Sequence, residues 1–376
     1  MTLGHRRLNL GLNGAFKANQ IEAYQRNWDE GWINEAELGP PGVRIAKAKL
    51  HWFNLPRLHG AHRLQSGRPG DADFFRWEGV VAGWVLRLDR RPDYEAVWAD
   101  LHESEKFLMT HVMEVERADG SDYGAGDLRS LVLALHMAFS FALGCHVAPA
   151  LPVAYDRSGR VVWKQWAVPH CDPARSITPG WWSGLQTTDF DSYLQLAVPA
   201  LMNSPLGERL QFQMMFAISS IVPAGFVEQR IMIGFAGIEH FTWHRLVVDR
   251  QMTKSVYRSL DGHERLRKVL KMASVPHSID PLVSPALDSF AKAELARQGR
   301  RLDAADVATQ IRNRLVHPTD LPGLVYHIND LATEAWALTR HFLTLLILNT
   351  IGYRGSYRNL SRLTGSAHEV APVPWK

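Results

Sequence analysis

In the first half of the chain the apolar positions recur at every second residue. Val43 to Phe53 reads as a strand that ends at Asn54–Leu55–Pro56. From Val80 to Asp89, the residues Val80, Ala82, Trp84, Leu86 and Leu88 share one face, and Thr110 to Glu116 alternates in the same way. A period of two marks strands with one buried face. Pro152–Tyr155 and Arg160–Trp166 flank Asp156–Arg157–Ser158–Gly159, a composition suited to a hairpin turn. Between these strands one segment takes helical spacing. Leu128, Leu131, Leu135, Phe139 and Ala142 form its stripe, with Asp127 placed to cap the start and Gly144 the end.

Residues 167–190 break both periods and read as a connector rich in Pro, Trp, Asp and Thr, with Pro169, Pro173, Pro179, Trp181 and Trp182. After about residue 205 strand signals stop. Helical periodicity takes over in Leu210–Ile221, Phe226–Val248, Leu287–Arg297, Ala304–Val316 and Ile328–Asn349. The pattern predicts an α+β N-terminal domain with a largely antiparallel sheet over residues 1–200. An all-α helical bundle is expected over 205–376. A length of 376 residues fits two domains. Residues 1–40 are polar and rich in Gly and Asn, with few clear signals.

Composition adds limits. Hydrophobic residues make up 46% and charged residues 21%, as in a globular protein with two cores. The net charge of +4 admits nucleic acid as a partner without arguing for it. Its distribution says more. Arg250, Lys254, Arg258, Arg265, Arg267, Lys268 and Lys271 face only Asp261 and Glu264 in the same stretch. Such a run is either a solvated helix face or loop, or a phosphate-contacting rim; in the second reading Arg258, Arg265 and Lys268 contact RNA. Cys145 and Cys171 make no disulfide framework, so a reducing cytoplasm is expected. Arg6 and Arg7 are followed by no apolar stretch of a signal peptide. The longest apolar run, Phe342 to Ile351, is about half the ~20 residues that span a bilayer, so it reads as a core helix and no membrane partner is expected.

Several chemistries lack their pattern. No phosphate-binding loop ends in Lys-Ser/Thr and no Gly-x-Gly-x-x-Gly follows a strand, so no nucleotide cofactor is expected. His240 and His244 are spaced like two zinc ligands, but no third ligand is suggested by spacing. Cys145–His146 and His170–Cys171 are isolated pairs, and no metal is expected. Trp52, Trp77, Trp84, Trp163, Trp166, Trp181 and Trp182 could stack bases, although alternating aromatics more often fill a sheet core.

One short pattern carries chemistry. Arg-x4-His occurs at Arg57…His62, Arg258…His263 and Arg312…His317. The first falls in a loop with Gly60 and the second contains the turn signal Asp261–Gly262. Only the third lies on a predicted helix, and only there does Asn follow Arg. Ala304, Ala308, Ile311 and Leu315 pack one face of that helix, and Arg312 borders the stripe. Five residues apart, Arg312 and His317 would diverge by roughly 140° on an ideal helix. Unwinding at Pro318, or a second subunit, would bring such groups together. On Phe226–Val248 the stripe Met232, Phe235, Thr242, Leu246 has Glu239 at its centre. A carboxylate on a core-facing stripe needs a cation, and Arg312 is the best-placed one; the pair is either part of a site or a plain core tie.

Arg312–Asn313–Arg314–Leu315–Val316–His317 on a helix, then Pro and a long apolar helix, resembles the HEPN superfamily of helical bundles. The ending Ile351–Gly352–Tyr353–Arg354–Gly355–Ser356–Tyr357 is similar to C-terminal domains of ApeA-type bacterial defence proteins. The resemblance covers roughly residues 211–365. The N-terminal half is only loosely similar to the partners of such domains, at His51–Trp52–Phe53–Asn54–Leu55–Pro56 and Thr110–His111–Val112. The resemblance implies an endoribonuclease of defence, toxin or abortive-infection type that needs no metal and works as a homodimer through the HEPN helices. The first domain would sense or regulate, with an unknown trigger or antitoxin. His317 would be the general acid/base, Arg312 would stabilise phosphate charge and Asn313 would orient the pair, with Glu239 in the same catalytic set and Arg314 binding RNA. The alternative is an inactive HEPN-like protein that binds nucleotide or RNA or serves as a scaffold.

Overall fold

The computed structural model describes residues 16–23, 31–58, 62–65, 72–103, 106–167, 170–174, 180–182, 187–203, 205–221, 225–317, 325, 328–363 and 370–375. Arg6, Arg7, Gly60, Pro169, Pro179 and Pro318 lie outside the described residues. The chain divides into two compact units, Met1–Phe139 with His146–Arg175 and Ser140–Cys145 with Ser176–Lys376.

The first unit is built on an antiparallel sheet. Its strands are β1 (Phe16–Ala23), β2 (Gly31–Leu38), β3 (Lys47–Phe53), β4 (His62–Gln65), β5 (Ala72–Val81), β6 (Trp84–Arg90), β7 (Met109–Arg117), β8 (Pro149–Tyr155) and β9 (Val161–Ala167). They are ordered β1-β2-β9-β8-β3-β7-β6-β5-β4. The period-two pattern sets the register. Leu50, Met113 and Leu88 form one row across β3, β7 and β6, and Ala154, Ala48, Val115 and Leu86 form the next. All of these are buried. Trp52 packs its ring 4.6 Å from Phe139 of the helix α2 (Ala125–Leu143). The opposite face carries charges, with Arg87 bonded to Glu116 at 2.7 Å and near Glu78 and Glu114, each at 3.5 Å.

Three expectations change here. Val80–Asp89 is not one strand but the centre of the β5–β6 hairpin. Ala82 (φ 51) and Gly83 (φ 76) form the turn, so Trp84, Leu86 and Leu88 are buried while Val80 is exposed. Asp127 lies inside the first turn of α2 rather than before it, and accepts the Gly124 N–H at 3.0 Å. A short helix α1 (Tyr94–Glu103) follows β6. The two stretches resembling other N-terminal halves meet in a polar knot. Thr110 Oγ1 accepts the Leu55 N–H at 3.0 Å and donates to Trp52 O at 3.3 Å, while the Asn54 side chain ties Leu108, Lys106 and Asp172. Among the described residues, α2 alone is long and apolar enough to cross a membrane, and most of its stripe packs inside the protein.

The second unit is helical: α3 (Thr187–Met202), α4 (Leu206–Ser219), α5 (Val227–Trp243), α6 (Lys254–Ser259), α7 (Gly262–Met272), α8 (Pro285–Gln298), α9 (Ala304–Val316) and α10 (Leu331–Thr350), with a π-helical turn at His244–Val248 after α5. The α+β-then-helical architecture is the one the periodicity predicts. The helix α10 is its axis, buried on nearly every side from Glu334 to Leu348, and it packs on α4, α5, α8 and α9. Glycines let α5 come close. A methyl at Gly234 would stand 2.8 Å from Thr339 Cγ2, and one at Gly237 would stand 2.7 Å from Leu343 Cδ2. The Tyr353–Arg358 segment folds back on this unit. Tyr353 is buried against Trp181 and Tyr193, Ser356 N–H reaches Asp189 at 3.2 Å, and Ser356–Arg358 (β10) pairs with Val370–Pro372 (β11). Trp181 and Trp182 therefore belong to a core rather than to a bare connector.

The first unit should be acid-sensitive. Burial, then the nearby Arg90 charge, pushes the His111 imidazole down to about 3. Burial, then His170, pushes His146 down to about 4, against an opposing pull from Asp172. Both are neutral in the fold, while the unfolded chain protonates near 6.5. Their contribution is complete above that value and is lost as pH falls from about 6.5 toward 4, by up to about 1.4 kcal/mol per pH unit for each histidine. Urea unfolding followed from pH 7.5 to 4.5 should show this loss, and a flat stability would contradict it.

Candidate functional site

The site is organised from the start of α9. Asp303 caps it, its carboxylate accepting the Asp306 N–H at 2.9 Å while Asp306 accepts the Asp303 N–H at 3.2 Å. Asp306 is only 2% exposed, and it gathers Arg267 at 2.7 Å, Arg300 at 3.0 Å and His263 Nε2 at 3.5 Å. Burial raises its pKa, but the Arg300 hydrogen bonds, the Asp303 N–H and Arg267 outweigh that and hold it at about 2. Arg267 also bonds Asp303 at 2.6 Å, so α7 and α9 are clamped at one end.

Two turns along α9, Arg312 points at α5. Its Nη2 donates to Glu239 Oε1 at 3.1 Å and its Nη1 donates to Asn313 Oδ1 at 3.1 Å. The predicted partnership forms, but not in the core: the Glu239 side chain is 57% exposed. The buried stripe of α5 runs through Ile231, Phe235, Ile238 and Thr242, so Met232 and Glu239 fall one position off it. Leu246, four residues after the buried Thr242, continues that stripe and is buried within the π-helical turn.

Beneath the pair lies a cavity of about 190 Å³. The helix α5 supplies Phe235, Ile238, Glu239 and Thr242, α7 supplies Gly262 and Arg265, and α9 supplies Thr309, Arg312 and Asn313. Thr242 Oγ1 shares a hydrogen bond of 3.0 Å with the Tyr257 hydroxyl. Arg265 Nε donates to Tyr257 O at 3.0 Å while its guanidinium lies 4.4 Å from the Tyr257 ring centre.

The structure thus brings Arg312, Asn313, Glu239 and Arg265 around one cavity. His317 stands apart from that lining. It is the C-cap of α9, exposed, with φ −121 and ψ 80, and its N–H donates to Asn313 O at 2.7 Å. The helix has ended at that residue. Arg258 and Lys268 are exposed on α6 and α7. Arg314 faces inward instead, bonded to the buried Glu294 at 2.7 Å and lying over Phe290 at 4.9 Å. Of the other Arg-x4-His copies, Arg57 pairs with Glu95 at 3.3 Å and His62 opens β4, whereas His263 turns toward Asp306. Thr309 escaped the sequence reading, and Gly262 and Thr242 entered it only as a turn signal and a stripe position. A threonine in an alanine-rich helix and a glycine after Asp carry no chemical signature. The α7 stripe Leu266, Val269, Leu270 was a usable helical signal within the basic run.

The other histidine groups also have positions. His240 and His244 stack 4.4 Å apart, and burial lowers both pKa values. His146 and His170 lie 4.2 Å apart, with Asp172 Oδ2 accepting the His146 N–H at 2.6 Å. Among the described residues, no three His, Cys, Asp or Glu side chains are grouped to hold a metal ion. Of the seven tryptophans considered for stacking, Trp166 is half-buried and the other six are buried, which favours the core role.

Residues 41–177 match the family described as the YopA central domain, and residues 207–370 match the YopA C-terminal domain. The chain is 27% identical over 301 residues to the SPbeta prophage-derived uncharacterized protein YopA of Bacillus subtilis (strain 168). That alignment takes in 78% of this chain and 64% of the Bacillus protein, so the chain spans less than two thirds of that relative. No solved structure matches.

The two carboxylates should behave differently on removal. Asp306→Ala removes the enclosed carboxylate that ties Arg267 and Arg300 to α9 and should cost about 2–3 kcal/mol. Glu239→Ala breaks a solvent-screened pair and should cost less than about 1 kcal/mol. Urea midpoints of the two variants check this; equal losses would mean that Glu239 is as important to the fold as Asp306.

Proposed function

We propose that the helical unit is a metal-independent endoribonuclease, working in the cytoplasm as a homodimer in anti-phage defence or as a toxin. The observation that carries this reading is Arg312. It is a guanidinium held in place by Glu239 and Asn313, lining a cavity, five residues before an exposed His317. In the proposed reaction His317 takes the proton of the ribose 2′-OH, and that oxygen attacks the adjacent phosphorus. The bond to the 5′-oxygen breaks and that oxygen receives a proton. The products are a 2′,3′-cyclic phosphate and a 5′-hydroxyl. Arg312 offers a permanent forked charge to the phosphoryl oxygens, and histidine titrates in the range such proton transfer needs. Exposure of His317 suits a site completed by a second subunit, with the two His317 side chains near the dimer axis. Arg258 and Lys268, exposed on neighbouring helices, would meet the RNA backbone. That the similar Bacillus protein derives from a prophage is compatible with conflict between phage and bacterium.

A second reading, an inactive HEPN-like protein that binds nucleotide or RNA or acts as a scaffold, is favoured by His317 lying outside the cavity lining. Cleavage separates the two. His317→Ala should lower the rate by about 10² to 10⁴, and Arg312→Ala comparably. Cutting should persist in EDTA, and RNA methylated at the 2′-oxygen of the cut should resist. A rate unchanged in His317→Ala, or activity lost to EDTA and restored by zinc, would remove the ribonuclease reading. Light scattering at micromolar concentration should report a dimer.

A further inference from the structure

The cavity between α5, α7 and α9 contains more donors than its visible partners use. Thr309 is 6% exposed and lines the cavity, yet its hydroxyl has no hydrogen-bond partner among the described residues. Arg265 spends only its Nε, on Tyr257 O, and no carboxylate pairs with its guanidinium among the described residues. Gly262, the first residue of α7, lines the same space; a capping box between Asp261 and Glu264 takes the Glu264 N–H, and the Gly262 and His263 N–H groups have no partner within the helix. A methyl at Gly262 would stand 3.1 Å from Thr309 Cγ2, so the missing side chain lets the Thr309 methyl lie against the helix start.

These groups select an anion. Two guanidiniums, of Arg265 and Arg312, face one carboxylate, Glu239. The space of about 190 Å³ is below the roughly 300 Å³ at which pockets for whole drug-sized ligands begin, so it takes a group rather than a nucleotide. A guanidinium fork, a hydroxyl and a helix N-terminus on different sides suit tetrahedral oxygens better than a planar carboxylate.

We propose that this cavity is a phosphate subsite, receiving a phosphoryl group of the nucleic-acid backbone next to the one that is cut. Arg265 and Thr309 bind it, the first turn of α7 faces it, and Arg312 sits between this subsite and His317. The identification of the ligand as RNA rests on the ribonuclease reading; the binding of phosphate does not.

Titration calorimetry at low salt tests it, with two probes: inorganic phosphate and a fully 2′-O-methylated RNA octamer that cannot be cut. Both should bind the full chain and compete. Thr309→Val, which keeps shape and removes the hydroxyl, and Arg265→Gln should each weaken both probes by about tenfold or more. Thr309→Ser should restore binding, and Lys292→Gln on α8 should change nothing. Phosphate bound without competition from the octamer would keep the phosphate site and assign it to a free phosphate compound. Failure of the wild type to bind either probe at millimolar concentration, or wild-type affinity in both Thr309→Val and Arg265→Gln, would overturn the proposal. Intact, Thr309-dependent phosphate binding in a protein that cuts no RNA would sink the ribonuclease reading alone.

Discussion

The functional face of the helical unit depends on one buried carboxylate. Asp306 is almost entirely enclosed, and a charge so placed is tolerated only when fully paired. Arg267 from α7 and Arg300 from the loop before α9 meet that demand, and because they come from different segments the pairing fixes the helices to each other. With α7 clamped to α9, everything downstream is placed by helical geometry. Thr309 is three residues on and Arg312 six, so both turn to the face that looks at Arg265 and Glu239. The cavity is in this sense a by-product of a charge arrangement one turn away from it.

The second constraint is how near α5 comes to α10. Gly234 and Gly237 leave room for Thr339 and Leu343, so α5 lies deep against the central helix. That depth tilts Ile231, Phe235 and Ile238 inward and leaves Glu239 at the rim, where it can meet both Arg312 and solvent. The stripe continues through Thr242 to Leu246, which is buried within the π-helical turn that follows α5. The electrostatic and packing constraints converge on the same three helices.

Much of this could be read in the order of the residues. Alternation found β3, β7, β8 and β9, and 3.6-residue spacing found α2, α4, α5, α8, α9 and α10, because in each case one buried face dominates the pattern. The Ala82–Gly83 turn was missed because alternation continued across it, and only positive φ at two residues separates a hairpin from a longer strand. The helix α7 hid behind its cations. At the site, Arg312 with Glu239 was foreseeable because a carboxylate near an apolar stripe demands a partner. Arg314 was not, since its partner Glu294 sits on α8 with nothing in the local sequence to announce it. Thr309 lay beyond reach for a different reason: its significance comes from what surrounds it in space.

The strand order of the first unit bears on how the chain comes into being. The strand β3 lies between β7 and β8, and its His51 bonds to Leu151, 100 residues further on. As the chain leaves the ribosome from its N-terminus, β3 can zip to β7 but keeps one bare edge until α2 and then β8 emerge. Contacts this distant are slow to form, and an unpaired strand edge is where chains stick to one another. The helix α2, apolar along its length, is made during that same interval. For this protein the vulnerable moment is therefore its own synthesis, and translation that stalls between residues 117 and 149 would leave an incomplete sheet and an uncovered apolar helix exposed together.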